Sequence, residues 1–204
     1  LSIASFLVGE TPQAAAQGAG RVPQSVLDQA EAATRAMGQQ ILQGNFKVAL
    51  ERMYPRWKKR AAKKLQGGQV ELARRLAEIP KEMTRQGISM LNYEVRKPTS
   101  AHEVVLLRGE DKEGRPINMY LEWLVFVPTR AEYRVIDPET RLPRKIETLG
   151  FQVAVNKKGT PDWHFIDGRN CSIADLRSFF PGLPEDQKLL GLPEVGGGEI
   201  RRER

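Results

Sequence analysis

The stretch INMYLEWLVFV, residues 117–127, alternates between two sets of side chains and predicts a long β-strand. Side chains of a strand point in turn to its two faces. One face is entirely apolar, as a core face is, and carries Ile117, Met119, Leu121, Trp123, Val125 and Val127. The other face mixes polar and aromatic groups, which favours a pocket wall or an interface, and carries Asn118, Tyr120, Glu122, Leu124 and Phe126.

Three further segments share this two-residue period and extend the prediction to a sheet: ISMLNYEV from residue 88, HEVVLLRG from residue 102 and LGFQVAVN from residue 149. The polar turns EDKEGR (110–115) and NKKGTPD (156–162) separate neighbouring strands. Residues 128–148 are polar and contain two prolines after Pro128, and we interpret them as a long hairpin or as an excursion from the sheet.

Before residue 88 the apolar period is helical, and Gly and Pro divide this region into several helices. Ser25 and Asn45 are the expected N-caps of the first two helices, and Gly44 ends the first. Pro55 permits a new helical start at Arg56, and a bend or an end is expected near Pro80. A short helix after the strands begins with a capping-box pattern at Ser172 and Asp175. This order predicts an α+β fold with N-terminal helices packed on an antiparallel sheet.

The predicted domain comprises residues 23–180 of the 204-residue chain. Residues 1–22 are interpreted as a flexible arm or as the remnant of an export signal, because LSIASFLVG resembles the end of a secretory apolar region. A periplasmic or otherwise exported location is the resulting expectation, with the cytoplasm as the alternative. Residues 181–204 repeat GLPE and contain GGG, which predicts an extended tail. No transmembrane segment is expected, because no apolar run is long enough.

The net charge of +7 is concentrated in one helical region, since residues 56–86 hold 10 basic and 3 acidic residues. In RWKKRAAKKLQ the helical period collects five cations on one side: Arg56, Lys59, Arg60, Lys63 and Lys64. Trp57 falls on the opposite side, so no aromatic group is interleaved for base stacking. A solvated helix face is the ordinary outcome for such a run, and anion binding is the functional one.

The stretch PDWHFIDG, residues 161–168, contains one of the two histidines of the chain. Strand parity separates His164 from Asp167, which we interpret as a turn residue before Gly168, and makes Trp163 and Phe165 core residues. His164 could still meet Tyr120 or Glu122 from a neighbouring strand, which would support proton transfer.

Other chemistry is not indicated by the sequence. His102 is interpreted as a strand-edge residue, and Cys171 as a small buried residue beside a helix start. One cysteine and two histidines do not suffice for a structural zinc site, and no metal or cofactor is predicted.

Two motifs resemble the NTF2-like and cystatin-like superfamily over roughly residues 25–170. ILQGNFKVALERMYPRW is similar to the junction of two helices in these domains, and DWHFIDG is similar to the closing strand of uncharacterised exported members. The resemblance implies a curved sheet around a long helix, forming a cone with a pocket. Some members are isomerases or dehydratases, and many others serve in dimerisation, ligand holding or envelope assembly.

Three functional hypotheses follow. The first is a non-enzymatic binding or assembly domain of the cell envelope that contacts a protein partner, a second copy of the chain or an acidic polymer. The second is an isomerase-type or dehydratase-type pocket enzyme that uses His164 with Glu122 or Tyr120. The third is a nucleic-acid-associated module that uses the basic helix at 56–64.

Overall fold

The structure, a computed structural model, describes residues 22–137 and 139–183, apart from the side chain of Asn118. Within these residues four helices precede a five-stranded antiparallel sheet and one short helix follows it, so the α+β class is confirmed. The predicted arm and tail lie outside the described residues, except Val22 and residues 181–183. Leu183, at the start of the predicted tail, is buried in the core.

The helices before the sheet are α1 (Gln24–Leu42), α2 (Lys47–Glu51), α3 (Pro55–Lys63) and α4 (Gly68–Arg85). A single 3₁₀ turn, Gly168–Asn170, and helix α5 (Ile173–Phe179) follow the sheet. Helix α3 starts at Pro55, one residue before the predicted start at Arg56, because the ring has the φ angle of a first turn and that position needs no N–H donor. Helix α4 continues through Pro80, where the sequence led us to expect a bend or an end.

Two predicted helix caps are wrong. Pro23 occupies the N-cap position of α1 and no side chain caps that end, so Ser25 lies inside the helix. Phe46 occupies the N-cap position of α2, and the Asn45 amide instead donates to Gln40 Oε1 at 3.0 Å. The predicted capping box of α5 is confirmed, because Ser172 and Asp175 each accept from the backbone N–H of the other.

The strands are β1 (Ser89–Val95), β2 (Ser100–Glu110), β3 (Pro116–Ile136), β4 (Pro143–Lys157) and β5 (Trp163–Asp167). β3 is the centre: its first half pairs with β2, its second half with β1, and its other edge with β4. The pairing of β3 with β4 runs from Glu122 opposite Lys157 to Ile136 opposite Pro143. Residues 128–148 are therefore a long hairpin, the first of the two alternatives. The sheet is curved and does not close on itself.

Both faces of the middle of this sheet are buried. One face packs against α1 and α2 through residues that include Val125, Val127, Ala154, Trp163 and Phe165. The opposite face packs against α5 and the start of α3 through residues that include Leu124, Phe126, Val153, Val155 and Ile166. The core therefore forms two layers, one on each side of β3, β4 and β5.

This arrangement corrects the interpretation of the two faces of β3. Leu124 and Phe126, expected on a pocket wall or interface, are 0% and 2% exposed, because α5 covers them. Met119, expected on the core face, is 40% exposed near the β2–β3 turn. The covering helices reach only the middle of β3. Whether a side chain is buried therefore depends on its position along the strand as well as on the face to which it points.

The edge of β5 is closed by the segment that joins α2 to α3. Phe165 donates its backbone N–H to Arg52 O at 2.7 Å, and Tyr54 donates its own to Phe165 O at 2.9 Å. Trp163 and Phe165 are buried, as predicted. This short parallel contact fixes the start of α3 against the sheet.

The turn after β5 confirms the structural interpretation of Asp167. Its carboxylate accepts from the Arg169 backbone N–H at 3.1 Å and from the Asn170 amide at 2.8 Å. Gly168 has no positive φ angle, and the reason for a glycine here is a close approach between the turn and a strand. A Cβ at this position would lie 2.3 Å from the Phe151 ring, so the strand and the turn can approach only through glycine.

Candidate functional site

Helix α3 carries the most concentrated charge of the described chain. Its sequence after Pro55, RWKKRAAK, is composed of good helix formers apart from Trp57, and Gly67 with φ +104° follows its end. The Trp57 side packs inward: its ring meets the Phe179 ring of α5 edge-on, with centroids 6.0 Å apart. The opposite side of the helix, rich in Lys and Arg, is left at the surface.

Two of the five cations predicted to bind an anion are engaged by α5. Arg56 donates to the carbonyl oxygen of Phe179 at 2.6 Å. Arg60 donates to Ser178 Oγ at 2.8 Å and forms an ion pair with Asp175 at 2.5 Å. Both guanidinium groups also lie 5.3 Å from the centre of the Phe179 ring. Arg56 and Arg60 thus join α3 to α5, and the structure gives them a role in packing.

The other three cations remain at the surface. Lys59, Lys63 and Lys64 are exposed, and within the described part of the chain none of them forms an ion pair or a hydrogen bond. Lys59 and Lys63 lie one helical turn apart, about 6 Å along the axis. Lys64 lies beside the α5 N-terminus, where its charge helps to lower the pKa of Asp175, although the main cause is the Ser172 N–H donated to that carboxylate. The basic surface is therefore a cluster of three lysines, which we call the α3 lysine cluster.

The three residues of the predicted pocket lie on one face of the sheet. Tyr120 and Glu122 are on the α5 side of β3, and His164 is on the same side of β5, opposite Val155. Glu122 lies opposite Lys157, two positions further along β4 than Val155. In the described residues no hydrogen bond joins His164 to Glu122 or to Tyr120.

The partner of Glu122 is a residue that the sequence did not reveal. Tyr54 donates its hydroxyl to Glu122 Oε2 at 3.0 Å, and its ring lies 5.5 Å from that of Phe180. Burial, and then the Glu122 charge, raise the pKa of Tyr54 to about 12. The phenol therefore stays protonated near neutral pH and serves as a donor. The two residues are 68 positions apart in the chain, and only the adjacent Pro55, which fixes the start of α3, marked this position in the sequence.

The two remaining residues considered in the sequence, His102 and Cys171, are buried. His102, expected at a strand edge, is 8% exposed, and its ring meets the edge of Phe126 at 6.2 Å between centroids. It is the third residue of β2, which pairs only with β3 among the described strands, so its place near the edge of the sheet agrees with the prediction. Its side chain lies on the covered α5 side, and burial lowers the pKa of His102. Burial also raises the pKa of Cys171 to about 12, which keeps the thiol protonated. This agrees with its interpretation as a small buried residue beside a helix start.

The described residues contain no group of three or more His, Cys, Asp or Glu side chains placed to hold a metal ion. Among their helices, none combines the length and apolar character needed to cross a bilayer. No known protein family, curated protein or solved structure matches the chain.

Proposed function

We propose that this protein is a non-enzymatic binding domain that holds an acidic polymer on the α3 lysine cluster. The observation that carries the proposal is the division of the cations of α3. Arg56 and Arg60 are bound by α5, whereas Lys59, Lys63 and Lys64 carry their charge at the surface and form no ion pair in the described chain. A cluster of unneutralised charge attracts polyanions and releases their counterions on binding.

The attachment of α3 supports this proposal. Trp57, Arg56 and Arg60 fix the helix to α5, and the backbone of Tyr54 fixes its start to β5. The lysines therefore project from a rigid base, which lowers the entropy lost when a ligand binds. Trp57 is packed against Phe179, so it offers no stacking surface for bases, and we favour an acidic polymer other than nucleic acid.

The architecture is also compatible with the NTF2-like and cystatin-like superfamily, in which helices precede a curved antiparallel sheet. We propose this kinship on the order of elements and on the ILQGNFKVALERMYPRW and DWHFIDG motifs. A non-catalytic role agrees with the surroundings of Glu122, whose carboxylate is bound by Tyr54 and makes no hydrogen bond with His164. The pocket-enzyme alternative stays a prediction.

The test uses the purified full chain and heparin as the polyanion probe. We expect Lys59→Glu/Lys63→Glu to weaken heparin binding about tenfold or more at physiological salt, equivalent to about 1.4 kcal/mol. The control is Lys97→Glu/Lys112→Glu, which makes the same charge change at two exposed lysines outside α3. Equal losses in the two variants would show that only the net charge matters and would contradict the proposal. Tighter binding to duplex DNA than to heparin would favour the nucleic-acid hypothesis instead.

A further inference from the structure

A cavity of about 200 Å³ lies between α1, α2 and the β4–β5 turn, away from the α3 lysine cluster. Its floor consists of the buried side chains of Met37, Val48, Trp163 and Phe165. Its rim includes Ala36, Arg52 and Pro161, which are exposed. The cavity exists because α1 presents small alanine side chains where two large aromatic rings of β5 face it.

Two polar groups stand among these apolar walls. Arg52 makes no side-chain hydrogen bond or ion pair within the described residues. Gln40 accepts from Asn45 through its amide oxygen at 3.0 Å, which leaves its NH₂ group as a donor. Both groups donate hydrogen bonds and one is a permanent cation, so the polar part of a fitting ligand is an anion.

The backbone holds Arg52 firmly beside this cavity. Its N–H donates to Val48 O at 2.8 Å, and its carbonyl oxygen accepts from the Phe165 N–H at 2.7 Å. The residue is thereby fixed to α2 on one side and to β5 on the other. A guanidinium group on a backbone fixed in this way can bind a carboxylate, because the two carboxylate oxygens match the spacing of its N–H groups.

We propose that this cavity binds a small carboxylic acid with one aromatic ring or an equivalent short hydrocarbon part. A cavity of about 150 Å³ accommodates benzene, so about 200 Å³ suits a ring with a few further atoms. The hydrocarbon part lies against Trp163 and Phe165, and the carboxylate reaches Arg52 and Gln40. This site is separate from the proposed polymer site, and neither proposal depends on the other.

The test is calorimetric titration of the full chain with 3-phenylpropionate, and with the neutral alcohol 3-phenylpropanol as the comparison. We expect the acid to bind with a dissociation constant below about 1 mM, and more tightly than the alcohol. Arg52→Gln should remove the advantage of the acid over the alcohol. Arg35→Gln, a cation change on α1 away from the cavity, should bind as the unaltered protein does.

Filling the cavity is the second arm of the experiment. Ala33→Leu, or Ala36→Leu at the exposed rim if the first variant does not fold, should weaken binding of both probes at least tenfold. Lack of binding by the unaltered protein up to millimolar acid would overturn the proposal. So would full affinity for the acid in Arg52→Gln or in a folded cavity-filling variant. A loss of binding in Lys59→Glu/Lys63→Glu would locate the acid at α3 and would also overturn it.

Discussion

Helices α3 and α4 are neighbours in the chain and in space, and both are rich in Lys and Arg. They differ in whether these cations are paired with acids of the same helix. In α4 the acids Glu71, Glu78 and Glu82 pair with arginines three or four positions away on the same helix. In α3 there is no acid: Arg56 and Arg60 reach across to α5, and Lys58 donates to the carbonyl oxygen of Leu50. The same composition of basic residues thus gives a self-neutralised helix in one case and a surface with unmatched positive charge in the other.

The comparison shows why the net charge of a segment does not locate a binding surface. Residues 56–86 carry the whole excess of positive charge, but α4 contributes little of it. Pairs spaced at three and four residues neutralise each other locally, which a sequence reveals directly. The contacts of Arg56 and Arg60 with residues near 175–179 depend on tertiary packing and are not visible in the sequence.

The largest expected effect is on protein stability, and it compares the packing of α3 against α5 with the packing of α4. Phe179 is buried, contacts Trp57 and lies beneath both arginines, so Phe179→Ala should destabilise the protein by about 3–5 kcal/mol. Ile79 of α4 is 38% exposed, and Ile79→Ala should change stability by less than about 0.5 kcal/mol. Urea denaturation of both variants measures this difference. Similar losses would mean that α4 is anchored as firmly as α3.

The second largest effect concerns the lysines of α3 that form no ion pair and are proposed to bind the polyanion. Neutralising two lysines with Lys59→Gln/Lys63→Gln should flatten the salt dependence of heparin binding, since fewer counterions are released. Arg74→Gln/Arg75→Gln removes the same number of charges from α4, where both arginines are paired with Glu71. We expect the slope of log affinity against log salt to stay unchanged in this second variant. A flatter slope in both variants would remove the distinction between the helices.

A smaller effect is expected from the ion pair that joins α3 to α5. Arg60 and Asp175 keep 36% and 21% of their side-chain surface exposed, so solvent weakens their attraction. A double-mutant cycle with Arg60→Ala and Asp175→Ala should give a coupling energy of about 0.5–1 kcal/mol. The cycle separates this term from the loss of the capping box in Asp175→Ala. A coupling of zero would leave the arginine with its contacts to Phe179 and Ser178 alone.

The smallest effect is the acid sensitivity of α4. Hydrogen bonds from Arg74, and then from Arg75, lower the pKa of Glu71 to about 2. A lowered pKa means that the stabilisation by this carboxylate is complete above its ordinary pKa near 4.5 and is lost as the pH falls towards 2. The stability difference between the unaltered protein and Glu71→Gln should therefore shrink over that range. Chemical denaturation at a series of pH values checks this, and a difference that does not depend on pH would exclude the pairing.

Local patterns were sufficient for much of the fold. Alternation correctly placed Trp163 and Phe165 in the core, and spacing correctly predicted the Ser172–Asp175 capping box. Alternation failed for Leu124 and Phe126, because a strand covered on both sides buries both sets of side chains and only tertiary structure shows which helices cover it. The wrong caps, Ser25 and Asn45, have a related cause, since helix ends also depend on neighbours elsewhere in the chain.

The candidate sites were harder to predict from the sequence than the fold. The position of the basic helix was evident, but its division into engaged arginines and exposed lysines required α5, more than a hundred residues away. The pairing of Tyr54 with Glu122 and the cavity beside Arg52 arise because the segment before α3 lies along the edge of β5. Such a contact leaves no local periodicity in the sequence from which it could be predicted.

The most direct measurement of the central claim is the acetylation rate of individual lysines, followed by mass spectrometry with and without heparin. The α3 lysine cluster should be protected by the polyanion, with the strongest slowing at Lys59 and Lys63. Lys81 of α4 and Lys97 between β1 and β2 are exposed and should react at unchanged rates. Protection of Lys81 and Lys97 equal to that of Lys59 and Lys63 would contradict the account, because the polyanion would then bind to the overall charge of the protein and not to α3.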